Sequence, residues 1–332
     1  MKLDKIGFYT LSDERAKDAS DTSPLWRCEL LITDRCNFNC PYCRGMRPDL
    51  RGEMPTEKTL DIIELWTKDN LKNIRFSGGE PTLHSDLFQM VYYARNHGVE
   101  RIAISTNGSA DFDYYKELVT CGVNDFSISL DACCSAFGQQ MNGGVADAWE
   151  KSIDNIRRLS KLTHVTVGMV FNKSNMGQSK ESIEFAHGLG VSDIRIISSA
   201  QYNRAIKNLE SLDNSILNQH PILKYRVTNF RNKRNVRGIQ KEDSDYCHLV
   251  LDDMAVAGNY HFPCIIYLRE GGNPIGEVSK AMRRERWQWF LSHNTHKDEI
   301  CKKNCLDVCI DYNNRVDVLA LKEISNPHRH TL

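Results

Sequence analysis

The 332-residue chain carries 43 Lys and Arg against 43 Asp and Glu, a formal charge of zero that argues against nucleic-acid or membrane-surface binding by global charge. An apolar fraction of 41% is ample for a core, yet the longest apolar runs, such as Cys264–Leu268, fall far short of the roughly 20 residues a spanning helix needs. The N-terminal stretch MKLDKIGFYTLSDERAKD contains acids and lacks the apolar segment of a signal peptide, so the expectation is a soluble, cytoplasmic protein.

In chain order, residues 28–33 (CELLIT) read as a strand, followed by a cysteine-rich loop and helical spacing over 56–68. Strands are expected at 73–77, 101–105, 125–130, 165–171 and 193–197. Helices are expected at 84–97, 111–121, 146–162 and 178–188, with helical spacing again over 205–218. Six β-then-α units in succession predict a parallel sheet with crossover helices. Their βα turns (SGGEP, STNGS, SLDACC, FNKSN, ISSAQ) would gather at the C-terminal rim, where chemistry sits in such sheets. The alternation stops near residue 220. Beyond it come a basic stretch, a Gly-Asn hairpin over 256–264 and a Trp-rich helix.

The twelve cysteines are unevenly placed: Cys36, Cys40 and Cys43 form one cluster, and Cys247, Cys264, Cys301, Cys305 and Cys309 lie in the last 86 residues. In a cytosolic chain such clustering points to metal or catalysis rather than disulfides. Soft thiolates at the Cys-x3-Cys-x2-Cys spacing suit zinc or an iron–sulfur cluster. Structural zinc closes with four ligands, but the nearest further candidates are Cys28, inside a strand, and His84. Three thiolates would leave one iron of a [4Fe–4S] cluster open. Cys28 and Cys121 read as apolar fillers.

The segment LLITDRCNFNCPYC, placed after the first strand, resembles the radical S-adenosylmethionine (SAM) superfamily. The resemblance continues in register over roughly residues 26–200 through Ser77-Gly78-Gly79-Glu80-Pro81, Ser105-Thr106-Asn107-Gly108 and Ser127-Ile128-Ser129-Leu130-Asp131. It implies that Cys36, Cys40 and Cys43 hold a [4Fe–4S] cluster whose open iron takes the amino and carboxylate groups of SAM, and that SAM is cleaved reductively to a 5′-deoxyadenosyl radical. Gly78 and Gly79 would permit close backbone approach to SAM, and Glu80 would accept from its ammonium. Tyr42 would pack on the adenine, while Thr106, Asn107 and Ser129 would reach ribose hydroxyls or carboxylate. Many relatives carry an Arg after the fourth strand for the carboxylate. Here GQQMNGG puts Gln140 or Asn142 in that place, and the carboxylate partner stays open.

Cys247, Gly258, Cys264 and the trio Cys301, Cys305, Cys309 resemble the auxiliary-cluster extensions called SPASM and twitch. Five thiols suffice for one auxiliary [4Fe–4S] cluster with one to spare. The trio's spacing allows one helical face or a loop, and structural zinc is the alternative at this second site. The fold implied is α/β, a partial (β/α)6 TIM-type barrel with a small C-terminal auxiliary-cluster domain. Residues 1–25 would be an N-terminal extension, 26–220 the barrel and 221–332 the auxiliary domain.

Lys224–Lys241 holds seven basic residues and no acid, which reads as a solvated face or as a strip (Arg231, Lys233, Arg234, Arg237) for an anionic substrate or an acidic electron donor. Cys133 and Cys134, after the fourth strand, could return a hydrogen atom to a substrate radical. The expected activity is radical chemistry on a small polar, anionic metabolite such as a sugar, nucleotide or nucleoside derivative, served by a flavodoxin- or ferredoxin-type donor. Modification of a ribosomally made peptide is the alternative, made less attractive by the short stretch before the barrel. A non-enzymatic iron–sulfur or zinc scaffold is the alternative of another class.

Overall fold

A computed structural model describes residues 16–17, 19–23 and 25–325. Most of the expected N-terminal extension, and the final residues, lie outside them. Six strands run parallel in chain order: β1 (Arg27–Thr33), β2 (Asn73–Gly78), β3 (Arg101–Thr106), β4 (Asp125–Ser129), β5 (His164–Phe171) and β6 (Asp193–Ser198). The helices between them are α1 (Thr56–Thr67), α2 (Leu87–Asn96), α3 (Phe112–Cys121), α4 (Ser135–Met141), α5 (Ala148–Leu159) and α6 (Ser179–Gly188). The six-unit alternation read from the sequence is thus present, as an open sheet that forms a partial barrel. Helix α4 was not expected. It is short and contains Gly138, whose missing Cβ leaves room for Trp149: a Cβ there would lie 1.9 Å from the indole Cδ1.

Strand periodicity divides the residues of the barrel between two faces. Ile74, Phe76, Ile102, Ile104, Phe126 and Ile128 are fully buried with Trp66, Met90, Tyr115 and Ile156 of the helices in one core. Truncating a buried aromatic such as Phe76 or Trp66 to Ala costs about 3–5 kcal/mol. Many of the intervening positions are polar: Arg75 and Ser77 on β2, Ser105 on β3, Ser127 and Ser129 on β4, Arg195 on β6. A polar interior face can serve a ligand in a way that an apolar one cannot.

Beyond β6 come α7 (Asn214–Gln219) and α8 (Pro221–Arg231), where helical spacing over 205–218 yields only a 3-10 turn (Lys207–Ser211) and the short α7. The Gly-Asn hairpin forms as expected from β7 (Asp253–Ala257) and β8 (Tyr260–Phe262), with Gly258 at φ 57° and Val256 opposite His261. The hairpin does not stand apart. β7 pairs in parallel with β1, from Arg27 opposite Asp253 to Leu31 opposite Ala257, and β9 (Gly276–Glu277) extends β8. The sheet therefore has nine strands in the order β6-β5-β4-β3-β2-β1-β7-β8-β9 and crosses the boundary expected at residue 220. Fully buried Arg286 joins this corner: its guanidinium donates to the carbonyls of Val250 and Phe262, at 2.8 and 3.2 Å, and to that of Asp253. The chain continues through α9 (Ile265–Arg269), α10 (Met282–Ser292), α11 (Glu299–Asn304) and α12 (Asp307–Ser325). No helix of the described residues is long and apolar enough to cross a membrane.

Candidate active site

The loop between β1 and α1 brings Cys36, Cys40 and Cys43 to one cavity of about 230 Å³ at the C-terminal ends of the strands. Two contacts fix the loop's start. Gly79 N donates to Thr33 O and Glu80 N to Arg35 O, each at 2.7 Å. A Cβ on Gly78 or Gly79 would lie 2.2 Å from one of those same carbonyl oxygens, so both glycines are needed for backbone-on-backbone docking of the cysteine loop. Both also line the cavity, but close approach to a ligand is not what excludes a side chain there.

Glu80 departs further from expectation. Its carboxylate is 1% exposed and does not line the cavity. Oε1 accepts from Thr82 N (3.1 Å), Thr82 Oγ1 (2.7 Å) and Thr106 Oγ1 (2.8 Å), and Oε2 accepts from Asn107 N (2.7 Å). Burial raises its pKa while these donors lower it, with burial prevailing. The residue expected to grip a ligand ammonium instead fastens the β2 turn to the β3 turn. Asn107 passes the constraint on: its Nδ2 donates to Asn37 Oδ1 at 2.8 Å, and Asn37 Nδ2 donates to Ser109 Oγ at 2.8 Å. The residue beside Cys36 is thereby latched to the turn after β3.

The remaining expected contacts distribute as follows. Tyr42 lines the cavity and donates its hydroxyl to Asp131. Thr106 lines it while bonded to Glu80 and, at 2.8 Å, to Tyr115. Ser129 lines it and is exposed there. Asn142 also lines it, but its Oδ1 accepts from Val145 N at 3.1 Å, and Gln140 lies outside. Cys133 and Cys134 do not line the cavity. Asp131 accepts from Val170 N at 2.6 Å and its carbonyl from Asn175 Nδ2 at 3.3 Å, which draws the chain over β5 and leaves Cys133 beside Gln178. Their expected role as hydrogen donors is not supported by this placement.

The basic strip is likewise corrected. Arg226, on α8, is buried against Asp307 at 2.5 Å, and Arg234 pairs with Asp311 at 2.7 Å. Arg231 donates to the carbonyls of Glu210 and Leu212, and Arg237 is buried with a bond to the Asn304 carbonyl. Lys233 sits at a left-handed turn, φ 60°. None of them lines the cavity. The acids that neutralise the strip come from α12, over 70 residues away in sequence.

Two arginines missed by sequence reasoning do line it: Arg195 from β6 and Arg269 from α9. Ser129, Gly168 and Arg195 lie in register across three strands, and a Cβ on Gly168 would sit 3.3 Å from Arg195 Nη2. The glycine thus clears the path by which Arg195 reaches Ser127 Oγ, at 3.3 Å. Arg269 comes from the C-terminal segment, five residues past Cys264, and among the described residues its guanidinium makes no ion pair or hydrogen bond. Arg44 is close to it: burial, then Arg269, holds the Arg44 guanidinium below its ordinary pKa.

The thiols at the mouth fit an iron–sulfur cluster. Burial, then Asp131 and the neighbouring thiols Cys43 and Cys36, pushes Cys40 up to about 12, the response of crowded ligands whose thiolates need a cation. Phe38 N and Gly45 N point at the sulfurs of Cys36 and Cys43, at 3.5 and 3.3 Å. Among the described residues that line the cavity, no further Cys or His closes a four-ligand zinc site.

At the second site, Cys247, Cys264, Cys301, Cys305 and Cys309 all line one small apolar pocket with Ile266, Trp289 and Ile300. Burial, then the adjacent Cys264, pushes Cys247 up to about 12, and burial foremost pushes Cys264 up to about 11. Cys301 lies on α11, Cys305 ends it and Cys309 lies on α12, so the trio does not share one helix face. This donor set fits one auxiliary [4Fe–4S] cluster.

Residues 30–186 match the family model of the Radical SAM superfamily. The chain thus carries a Radical SAM domain over just under half of its length; that domain implies an enzyme with SAM and a [4Fe–4S] cluster as cofactors, and the cysteine-rich C-terminus fits an auxiliary cluster. Among curated proteins, a probable GTP 3′,8-cyclase of Saccharolobus solfataricus is 28% identical over 182 residues, covering 52% of this chain and 57% of that one. The GTP 3′,8-cyclase of Staphylococcus saprophyticus is 34% identical over 130 residues, 36% of this chain and 38% of that one. The matched stretch is thus under two thirds of either relative. Among solved structures, SuiB of Streptococcus suis bound to S-adenosylmethionine superposes with a TM-score of 0.58 at 14% identity, over 81% of this chain and 64% of that one. Native anSMEcpe with bound AdoMet gives 0.59 at 13% identity, over 93% of this chain and all of that one. These likenesses establish the fold.

Proposed function

We propose that this radical SAM enzyme acts on a small anionic metabolite of the sugar, nucleotide or nucleoside class. The observation that carries the reading is the pair Arg195 and Arg269, which line the cavity bounded by Cys36, Cys40 and Cys43. Guanidinium groups at a partly enclosed site suit carboxylate or phosphate through paired N–H donors. The curated relatives' name, GTP 3′,8-cyclase, supports a nucleotide as the first candidate.

In this reading Cys36, Cys40 and Cys43 hold the cluster, and the bound SAM supplies a hydrogen-abstracting radical once an electron is delivered. The chain's own task is orientation. The Glu80–Asn107–Asn37 chain of hydrogen bonds fixes the cysteine loop, Tyr42 and Ser129 shape the cavity wall, and Arg195 holds the anion from within the barrel. Arg269 meets it from the C-terminal segment, so that the substrate is gripped from the barrel and from the segment beyond it. A flavodoxin- or ferredoxin-type protein would deliver the electron, and the many free thiols suit the reducing cytoplasm.

The test is GTP binding to the reconstituted enzyme, followed by SAM cleavage with and without GTP. Arg195→Gln and Arg269→Gln should each weaken binding by roughly 10- to 100-fold, the worth of a charge-assisted hydrogen bond at about 1.5–3 kcal/mol. SAM cleavage without GTP should be unchanged. Equal affinity in both variants, or stimulation of SAM cleavage by a peptide and by no anionic metabolite, would overturn the reading.

A further inference from the structure

One thiol of the second site, Cys301, shares the pocket with the other four but also has a histidine and a carboxylate beside it. Cys301 Sγ lies 3.4 Å from His293 Nε2, and a carboxylate oxygen of Asp298 completes a group whose three ligand atoms all fall within 4.8 Å of one another. Tetrahedral zinc, with Zn–N near 2.0 Å and Zn–S near 2.3 Å, places N and S about 3.5 Å apart. The His293–Cys301 separation is that edge.

The three side chains are also held in place. Trp289 stacks on the His293 ring with centroids 3.8 Å apart and planes 17° apart. Tyr267 Oη donates to Asp298 Oδ2 at 3.0 Å, and Cys301 N donates to Asp298 Oδ1 at 2.8 Å. Orienting contacts of this kind around a His and a carboxylate are what metal sites use to fix their ligands. One [4Fe–4S] cluster needs four thiolates, and Cys247, Cys264, Cys305 and Cys309 supply them without Cys301.

We propose that His293, Asp298 and Cys301 form a mononuclear zinc site beside the auxiliary cluster, with a fourth position open to water. The proposal rests on the auxiliary cluster taking the other four thiols. Binding Zn2+ deprotonates Cys301 and releases one proton, with no electron transferred. Three protein ligands of mixed N, O and S character with an open position are the pattern of reactive rather than purely structural zinc.

The experiment is metal analysis of the full chain, purified anaerobically, reconstituted with iron and sulfide and supplied with zinc. Wild type should carry about eight irons for two clusters and one zinc per chain. Its zinc X-ray absorption should show one sulfur among lighter ligands. Cys301→Ser and His293→Gln should lose the zinc and keep all the iron, whereas Cys305→Ser should lose about half of the iron and keep the zinc. Loss of half of the iron in Cys301→Ser would make Cys301 a cluster ligand and overturn the proposal. So would zinc retained in both zinc-site variants. Zinc bound by four sulfurs, with only about four irons present, would instead overturn the auxiliary cluster itself, and the GTP-binding result would stand apart from either.

Discussion

Replacing Glu80 by Gln removes one charge and one acceptor from a fully enclosed carboxylate that receives four hydrogen bonds. The Thr106 hydroxyl can turn to Tyr115, but the two backbone N–H groups cannot turn. Whichever way the amide is placed, its NH2 faces either Asn107 N or Thr82 N, and one buried backbone donor is left unpaired. A hydrogen bond to a charged group is worth about 1.5–3 kcal/mol, so unfolding free energy should fall by about that amount. The Asn107 turn also holds Asn37, next to Cys36. SAM affinity should therefore fall in step, by roughly 10- to 100-fold by the same arithmetic, while iron content stays normal. Asn107→Ala keeps the backbone bond to Glu80 and cuts the Asn37 latch together with the side-chain bond from Ser109 N, at 3.0 Å, but leaves no buried charge short of a donor, so its effect on both quantities should be smaller. The measurements are anaerobic urea unfolding followed by tryptophan fluorescence, and equilibrium dialysis against SAM. Weakened SAM binding at wild-type stability would show that the Glu80 carboxylate touches the ligand directly, and would refute the positioning argument.

Replacing Cys36, Cys40 and Cys43 together by Ala should abolish reductive SAM cleavage while the absorbance of the auxiliary cluster persists; ultraviolet-visible spectra and deoxyadenosine assays check both. Asp307→Asn leaves the buried Arg226 without its acid, and the urea midpoint should drop by the equivalent of about 3–5 kcal/mol. His261 accepts from Arg286 through Nδ1 at 3.2 Å and faces Glu285 through Nε2 at 3.1 Å, so it is held neutral. Burial, then Arg286, lowers its pKa to about 3. Because the unfolded histidine takes a proton near pH 6.5, its stabilising contribution is complete above that pH and is lost as pH falls toward 3. The slope approaches about 1.4 kcal/mol per pH unit. Urea midpoints between pH 7 and 5 should show that slope in wild type, and a shallower one in His261→Gln.

The parts legible in the sequence were those encoded locally. Six strands and their helices followed from apolar period, and Gly258-Asn259 marked its hairpin because a left-handed turn needs such residues. Cys36, Cys40 and Cys43 announced themselves by spacing on one loop. What stayed hidden depends on distant partners. Arg226 and Arg234 looked like a solvated strip because Asp307 and Asp311 stand far along the chain. Arg269 reaches the cavity only because the C-terminal segment packs back on the barrel, which no local pattern around residue 269 reveals. Glu80 was placed in the right neighbourhood, but its bonds to Thr106 and Asn107 were not legible, since that turn lies 26 residues later.

The pairing of β7 with β1 also sets a timetable for synthesis. β1 carries the sheet position next to the cysteine loop, and its second edge is covered only by β7, where Arg27 Nε bonds Asp253 Oδ1 across a separation of 226 residues. At about 5–20 residues per second, that interval is roughly 10–45 s of elongation. Throughout it, a nascent barrel offers an open strand edge able to pair with another chain. The same geometry means that a fragment ending near residue 220 would keep the three thiols of the mouth but leave the strand beside them with a bare flank.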